Sequence, residues 1–178
     1  MKKQQFTLTV VTENEVGLLN KVVVVFTRRK INIDSLTASE SGINGVYRYT
    51  VVIEVTEDQV RKVCGQIEKL IGVLKVFYYK NDEIESNEMA LYKMATTTDR
   101  KAIDALIKKY NAYLFSETDE YIVMQKTGYK HETEDLFKDL DKFGILEFAR
   151  SGRIAVTKPM NLLTQYLKGL KEKEYKHK

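Results

Sequence analysis

Two glycines, Gly72 and Gly144, each follow an apolar stripe at helical spacing. Each leads straight into a strand-like pair, Val73-Leu74 and Ile145-Leu146. Their offset is 72 residues, long enough to hold a full order of elements. An offset of that size fits duplication of a small domain better than a stacked solenoid. Whatever the first half folds into, the second half is constrained to repeat.

The first half alternates the two hydrophobic periods. Phe6, Leu8 and Val10 alternate with Thr7, Thr9 and Val11, the pattern of a half-buried strand. Leu18, Leu19, Val22 and Phe26 fall at helical spacing, although Val22 to Val25 is a β-branched run that favours strand locally. A helix is the better reading, because the segment opens at a polar turn and closes on Arg28, Arg29 and Lys30, which complement a helix C-terminus. Ile33 to Ser39 reads as a strand. Ser41 to Gly45 reads as a hairpin loop, and Tyr47, Tyr49, Val51 and Ile53 as the paired strand. Thr56-Glu57-Asp58-Gln59 has the form of a capping box. Behind it Val60, Val63, Cys64, Ile67, Leu70 and Ile71 make an apolar stripe that Gly72 can end. Val73 to Tyr78 is the last strand, so the order is βαββαβ.

The polar, acidic stretch Asn81 to Asn87 is the expected domain boundary, and the order then repeats. Met89 to Ala95 is a strand, and Ile103, Leu106, Ile107 and Tyr110 mark a helix after Thr98-Asp99. Ala112 to Ser116 and Tyr121 to Gln125 form a hairpin across Glu117 to Glu120. Leu136, Phe137, Leu140 and Phe143 mark a second helix. Ile145 to Arg150 and Arg153 to Val156 are strand-like, interrupted at Ser151-Gly152. Pro159, the only proline, suits the first turn of a final helix carrying Met160, Leu163, Leu167 and Leu170. The expected organisation is α+β: a ferredoxin-like domain over 5–80, a second over 88–158, and a C-terminal helix with a charged tail over 159–178.

Composition narrows the function classes. With 43% hydrophobic residues the chain can build a core without disulfides or metal, and its single cysteine, Cys64, rules out an internal disulfide. Cys64 lies on a helix stripe and reads as a buried small hydrophobe. A net charge of +4 spread over 30% charged residues is a solvated surface and not a nucleic-acid footprint. No apolar run approaches the ~20 residues of a membrane span. No signal peptide is evident, and a cytoplasmic location is the expectation. His131 and His177 are isolated, so neither belongs to a ligand-spaced metal set. No nucleophile and base stand at a recognisable spacing.

The sharpest local feature is Glu13-Asn14-Glu15-Val16-Gly17-Leu18-Leu19 followed by Asn32-Ile33-Asp34-Ser35-Leu36. Asn14 and Asn32 stand at opposite ends of one helix. Side-chain amides there, with the free N–H groups of a helix start, suit a small zwitterion such as an amino acid. Asn14 reads as a helix cap, as a ligand contact, or as both. Gly17 reads as a permissive backbone position that also opens the Gly17 and Leu18 N–H groups to a carboxylate. Asn32 alone is an ordinary helix-exit residue; its pairing with Asn14 favours a binding role. Leu18 and Ile33 belong to the core and, with Val16, are candidates to touch an aliphatic ligand. With no catalytic machinery beside them, the pattern points to sensing.

These two segments, together with Glu88-Met89-Ala90-Leu91 and Ala149-Arg150-Ser151-Gly152-Arg153, resemble the regulatory small subunit of acetolactate synthase, also called acetohydroxyacid synthase. The resemblance spans roughly residues 5 to 158 in order and spacing. It implies an N-terminal ACT domain that pairs side by side with a second copy in a homodimer and binds an amino-acid effector at that interface, typically valine or another branched-chain amino acid. It implies that Asn14 and Gly17 lie in the ligand loop and that Asn32 matches the asparagine after the first helix. It further implies that the chain activates a separate catalytic large subunit and confers feedback inhibition on it. Thiamine diphosphate, Mg²⁺ and FAD would belong to that catalytic chain, with no cofactor here and no nucleic-acid or membrane partner.

Two positions depart from the family pattern: Val24 and Lys30 stand where glycine is usual. If position 30 takes a positive φ, lysine there costs ~1 kcal/mol or more. Three rival readings differ in kind. A stand-alone ACT-type sensing module would act on another partner and leave an acetolactate synthase catalytic chain unaffected. A small hydrolase needs a convergent nucleophile and base, which the sequence lacks. An RNA-binding sheet needs an aromatic-rich consensus on its central strands that Tyr47, Tyr49 and Tyr78 do not supply.

Overall fold

The computed structural model describes residues 2–158 and 162–176. Pro159, Met160, His177 and the side chain of Leu163 lie outside the described residues, so the readings made of them are left there. The chain divides into two compact units, Met1–Glu85 with Arg153–Lys178, and Ser86–Gly152.

The first unit runs β1 (Gln4–Glu13), α1 (Leu18–Arg28), β2 (Ser35–Glu40), β3 (Val46–Val55), α2 (Glu57–Ile67) and β4 (Val73–Tyr79). The strands pair antiparallel in the order β2-β3-β1-β4. Phe6, Leu8 and Val10 of β1 and Tyr49, Val51, Ile53 and Val55 of β3 form one core with Val22 and Phe26 of α1 and Val60, Val63, Cys64 and Ile67 of α2. This core settles the conflict in the valine run. Helix propensity at four valines costs on the order of 2–3 kcal/mol relative to alanine. Leu18, Val22 and Phe26 are no more than 1% exposed, and burial of each contributes roughly 1.5–3 kcal/mol. Burial wins, and the segment is a helix.

The second unit repeats the plan with β5 (Ile84–Ala95), α3 (Arg100–Tyr110), β6 (Tyr113–Glu117), β7 (Tyr121–Gly128), α4 (Lys130–Asp141) and β8 (Ile145–Arg150), in the strand order β6-β7-β5-β8. Ala90, Tyr92 and Met94 of β5 and Met124 of β7 pack on Ile103, Leu136 and Leu140. Both units are therefore ferredoxin-like βαββαβ folds of the α+β class. The chain ends with β9 (Ile154–Thr157) and α5 (Leu162–Lys176).

Several boundaries differ from the sequence reading. The first strand is buried on both faces and not on one: Thr7 and Thr9 are 0% and 1% exposed. The cause is a second apolar layer in the same unit, where Ala155 of β9 and Tyr166, Leu167 and Leu170 of α5 join Val11, Val46, Tyr79 and Ile84. Residues 153–158 were expected in the second domain. Those from Arg153 onward instead pack with the first unit, because the Arg153 guanidinium is buried there against Thr7, Gln5 and Asn81. Strand β5 starts at Ile84 rather than Met89, so the unit boundary falls inside a strand. Strand β2 starts at Ser35 rather than Ile33. Helix α2 stops at Ile67, and Ile71, beyond it, is 86% exposed. Gly72 and Gly144 both take positive φ, 87° and 81°. They turn the chain after the helices rather than ending them.

Candidate functional site

The loop between β1 and α1 is pinned on two sides. The Glu13 N–H donates to Gly72 O at 2.8 Å and the Asn14 N–H to Gly45 O at 3.0 Å. The Leu18 N–H folds back on Glu15 O at 3.2 Å. Gly17, with φ 84° and ψ −7°, is the residue that turns this loop into the helix, and no side chain caps α1. Asn14 is thus not the helix cap: three residues of tight turn separate it from Leu18, and its own N–H is committed to the β2–β3 hairpin. A Cβ on Gly17 would meet no atom within 4 Å, so glycine is required there by backbone conformation and not by crowding. Among the described residues the N–H groups of Val16, Gly17, Leu19 and Asn20 have no backbone acceptor. They are the open donors a helix start leaves for an anion.

The predicted residues divide by exposure. Asn14 and Gly17 are exposed, Val16 is 99% exposed, and Leu18 is fully buried in the core. Gly72 completes the loop from the other side. Its would-be Cβ lies 2.8 Å from Glu15 Oε2 and 2.9 Å from Leu18 Cδ2, so any side chain there would displace Leu18 from beneath the helix start. Glu15 in turn pairs with Lys21 across the first turn at 2.9 Å.

At the far end of α1 the chain exits through a Schellman motif. The Ile31 N–H donates to Phe26 O at 3.0 Å and the Lys30 N–H to Thr27 O at 3.0 Å. Lys30 occupies the left-handed position with φ 54°. The second unit uses Asn111, φ 49°, at the equivalent exit of α3, and asparagine tolerates that conformation better than lysine. Asn32 follows, exposed, and Ile33 is half-buried against the core. Asn14 and Asn32 therefore lie beyond opposite ends of an 11-residue helix, a length of about 16 Å. One protomer does not bring them together around a ligand a few ångströms long.

The sequence did not single out the polar cluster behind the first sheet. Arg153 donates to Thr7 Oγ1 at 2.8 Å, Gln5 Oε1 at 2.8 Å and Asn81 Oδ1 at 3.1 Å, and its carbonyl accepts from Thr37 Oγ1 at 2.6 Å. Nearby Arg48 reaches Thr9 Oγ1 and Ala155 O, and burial lowers its pKa. Burial also pushes the Tyr79 phenol up to about 12. The alternation of Thr7 and Thr9 with apolar residues reads as a half-buried strand and gives no local sign of this second buried face. Among the described residues no group of three or more His, Cys, Asp or Glu is placed to hold a metal, and no helix is long and apolar enough to cross a membrane.

Comparison with known proteins bears on family and fold. The family model for the ACT domain of acetohydroxyacid synthase small-subunit type matches residues 8–75, and that for the small subunit of acetolactate synthase matches residues 87–159. The acetolactate synthase small subunit of Bacillus subtilis is 37% identical over 155 residues, covering 86% of this chain and 89% of that protein. That of Mycolicibacterium smegmatis is 31% identical over 153 residues, covering 85% and 90%. The crystal structure of the small subunit from Thermotoga maritima superposes with a TM-score of 0.81 at 25% identity, over 87% of this chain and 98% of that one. With both halves matched in order and most of each relative covered, this chain belongs to the acetolactate synthase small-subunit family.

Proposed function

We propose that the chain is the non-catalytic regulatory subunit of acetolactate synthase. It activates a catalytic large subunit and makes it sensitive to feedback inhibition by a branched-chain amino acid, most simply valine. The effector binds between the ACT units of a homodimer. Its carboxylate meets the open N–H groups at the start of α1, Asn14 fixes a polar group beside them, and Asn32 from the other copy completes the site. Val16 and Ile33 supply the apolar surroundings, while Leu18, 0% exposed, stays in the core. Thiamine diphosphate, Mg²⁺ and FAD reside on the catalytic chain.

The observation that carries this reading is the placement of the two asparagines. Strand β2 pairs only with β3 among the described residues, so its outer edge is open to a second copy. A two-fold axis perpendicular to the sheet that joins β2 antiparallel to its copy sets the top of one unit against the bottom of the other. That operation carries Asn14 of one protomer toward Asn32 of its mate, twice per dimer. An effector with different affinity for two arrangements of such a dimer shifts their populations and is thereby an allosteric inhibitor.

Two measurements test this. Calorimetric titration with valine, leucine and isoleucine is expected to show binding by at least one of them; no heat at millimolar ligand in a folded dimer removes the effector role. Mixing with a purified acetolactate synthase catalytic chain is expected to raise its activity and to make it valine-sensitive. Failure to co-purify or activate would leave a sensing module for some other partner.

A further inference from the structure

The two units share a fold but differ on one sheet face. In the first, the face turned away from α1 and α2 is closed by β9 and α5. In the second, the corresponding face has no such layer within its own unit. Leu91 and Lys93 of β5, Tyr121 and Val123 of β7, and Glu147 and Ala149 of β8 surround a shallow depression of about 240 Å³ there. Met89 and Tyr113, at 42% and 66% exposure, extend the same surface. Their partners in register, Thr127 and Gln125 of β7, share the alternation of Val123 and confirm the face.

The charges on this surface are arranged in an exchangeable way. Lys93 and Glu147 are direct neighbours across β5 and β8, and Leu91 and Ala149 are the next pair along on the same face. Lys93 Nζ lies over the Tyr121 ring, 4.4 Å from its centroid. Neither Lys93 nor Glu147 forms an ion pair among the described residues. We propose that this face is a self-complementary interface between the second units of two copies of the chain. A two-fold axis lying in the interface, parallel to the strands and between β5 and β8, exchanges those two columns. It sets each Lys93 against the Glu147 of the other copy and each Leu91 over an Ala149, large side chain on small. Two reciprocal ion pairs then border an apolar floor, where solvent screening is weaker than on an open surface. A face with one positive and one negative residue in adjacent columns offers little steering to an unlike partner but matches its own image. The proposal is independent of the effector reading.

The test uses the full-length chain in two single-substitution forms, Leu91→Cys and Ala149→Cys, co-expressed with tags of different length. Native Cys64 does not compete, since it is 6% exposed and burial pushes its thiol up to about 12. Under mild oxidation without effector, a disulfide joining the two differently tagged chains is expected on a non-reducing gel. Adding Lys93→Glu or Glu147→Lys to both chains is expected to slow its formation roughly tenfold or more, and the combined swap to restore it. No mixed disulfide in folded protein overturns the proposal. So does a disulfide indifferent to the charge swaps, or one that forms only when a catalytic chain is added.

Discussion

Lys30 shows how one residue can be read from sequence and then weighed in structure. Its φ of 54° places an L-residue in the left-handed region at a position where glycine is free of strain. Lys30→Gly is expected to raise stability by about 1 kcal/mol, and Tm by roughly 2–4 °C for a chain of this size. Lys30→Ala keeps the strain and is expected to gain nothing, so thermal unfolding of the pair separates backbone strain from loss of a lysine. Titrating side chains make a second prediction at this scale. Burial holds the folded pKa of both Cys64 and Tyr79 at about 12, above their unfolded values near ~8.5 and ~10. The unfolded chain therefore gives up these protons first as pH rises. Stability from these groups is fully present below about pH 8.5 and declines toward pH 12. Denaturant midpoints measured across this range are expected to fall, and Cys64→Ala to flatten the part of the fall that begins near pH 9.

At the scale of the element, patterns with a local cause were legible and those with a distant cause were not. The capping box of α2 is formed as read. Thr56 Oγ1 accepts from the Gln59 N–H at 3.3 Å, and the Thr56 N–H donates to Gln59 Oε1 at 3.0 Å. Thr56→Ala is expected to cost about 1 kcal/mol in chemical denaturation, with the removal of Gln59's side chain costing less. The ends of α2 and α4 were harder. Ile71 and Phe143 continue an apolar stripe in sequence yet are 86% and 38% exposed, because periodicity carries no mark of the residue at which hydrogen bonding stops. The burial of Thr7 and Thr9 was likewise invisible from β1. It depends on β9 and α5, which return from the far end of the chain to the same unit.

At the scale of the whole molecule the proposed effector site belongs to no single chain, which gives a mixing experiment. Asn14→Ala and Asn32→Ala are each expected to abolish or strongly weaken effector binding in their own homodimers. Asn14 is exposed and its side chain has no hydrogen bond among the described residues, so its loss is expected to change stability by under about 0.5 kcal/mol. In heterodimers of the two variants one site loses both asparagines and the other keeps both. Mixed protein is therefore expected to recover about a quarter of wild-type sites on random pairing. Calorimetric stoichiometry reads this directly, and recovery of none would mean that the two asparagines do not complete one site across the dimer.

The sequence by itself determined the duplicated βαββαβ order and the loop bearing Asn14 and Gly17, while the valine run was settled as a helix by burial in the core. The order and the loop follow from hydrophobic period, polar turns and capping residues within a few positions of one another. Resemblance to the family also marked Lys30 as a departure. Only the tertiary structure decided that Lys30 is strained, that Gly17 and not Asn14 begins α1, and that a helix about 16 Å long parts the two asparagines. It alone decided that Arg153 joins the first unit, drawn in by three oxygen acceptors on β1 and the turn after β4, of which Thr7 is fully buried. Those outcomes depend on groups distant in sequence meeting in space. A buried guanidinium is tolerable only where such acceptors already converge, and no local pattern records that convergence.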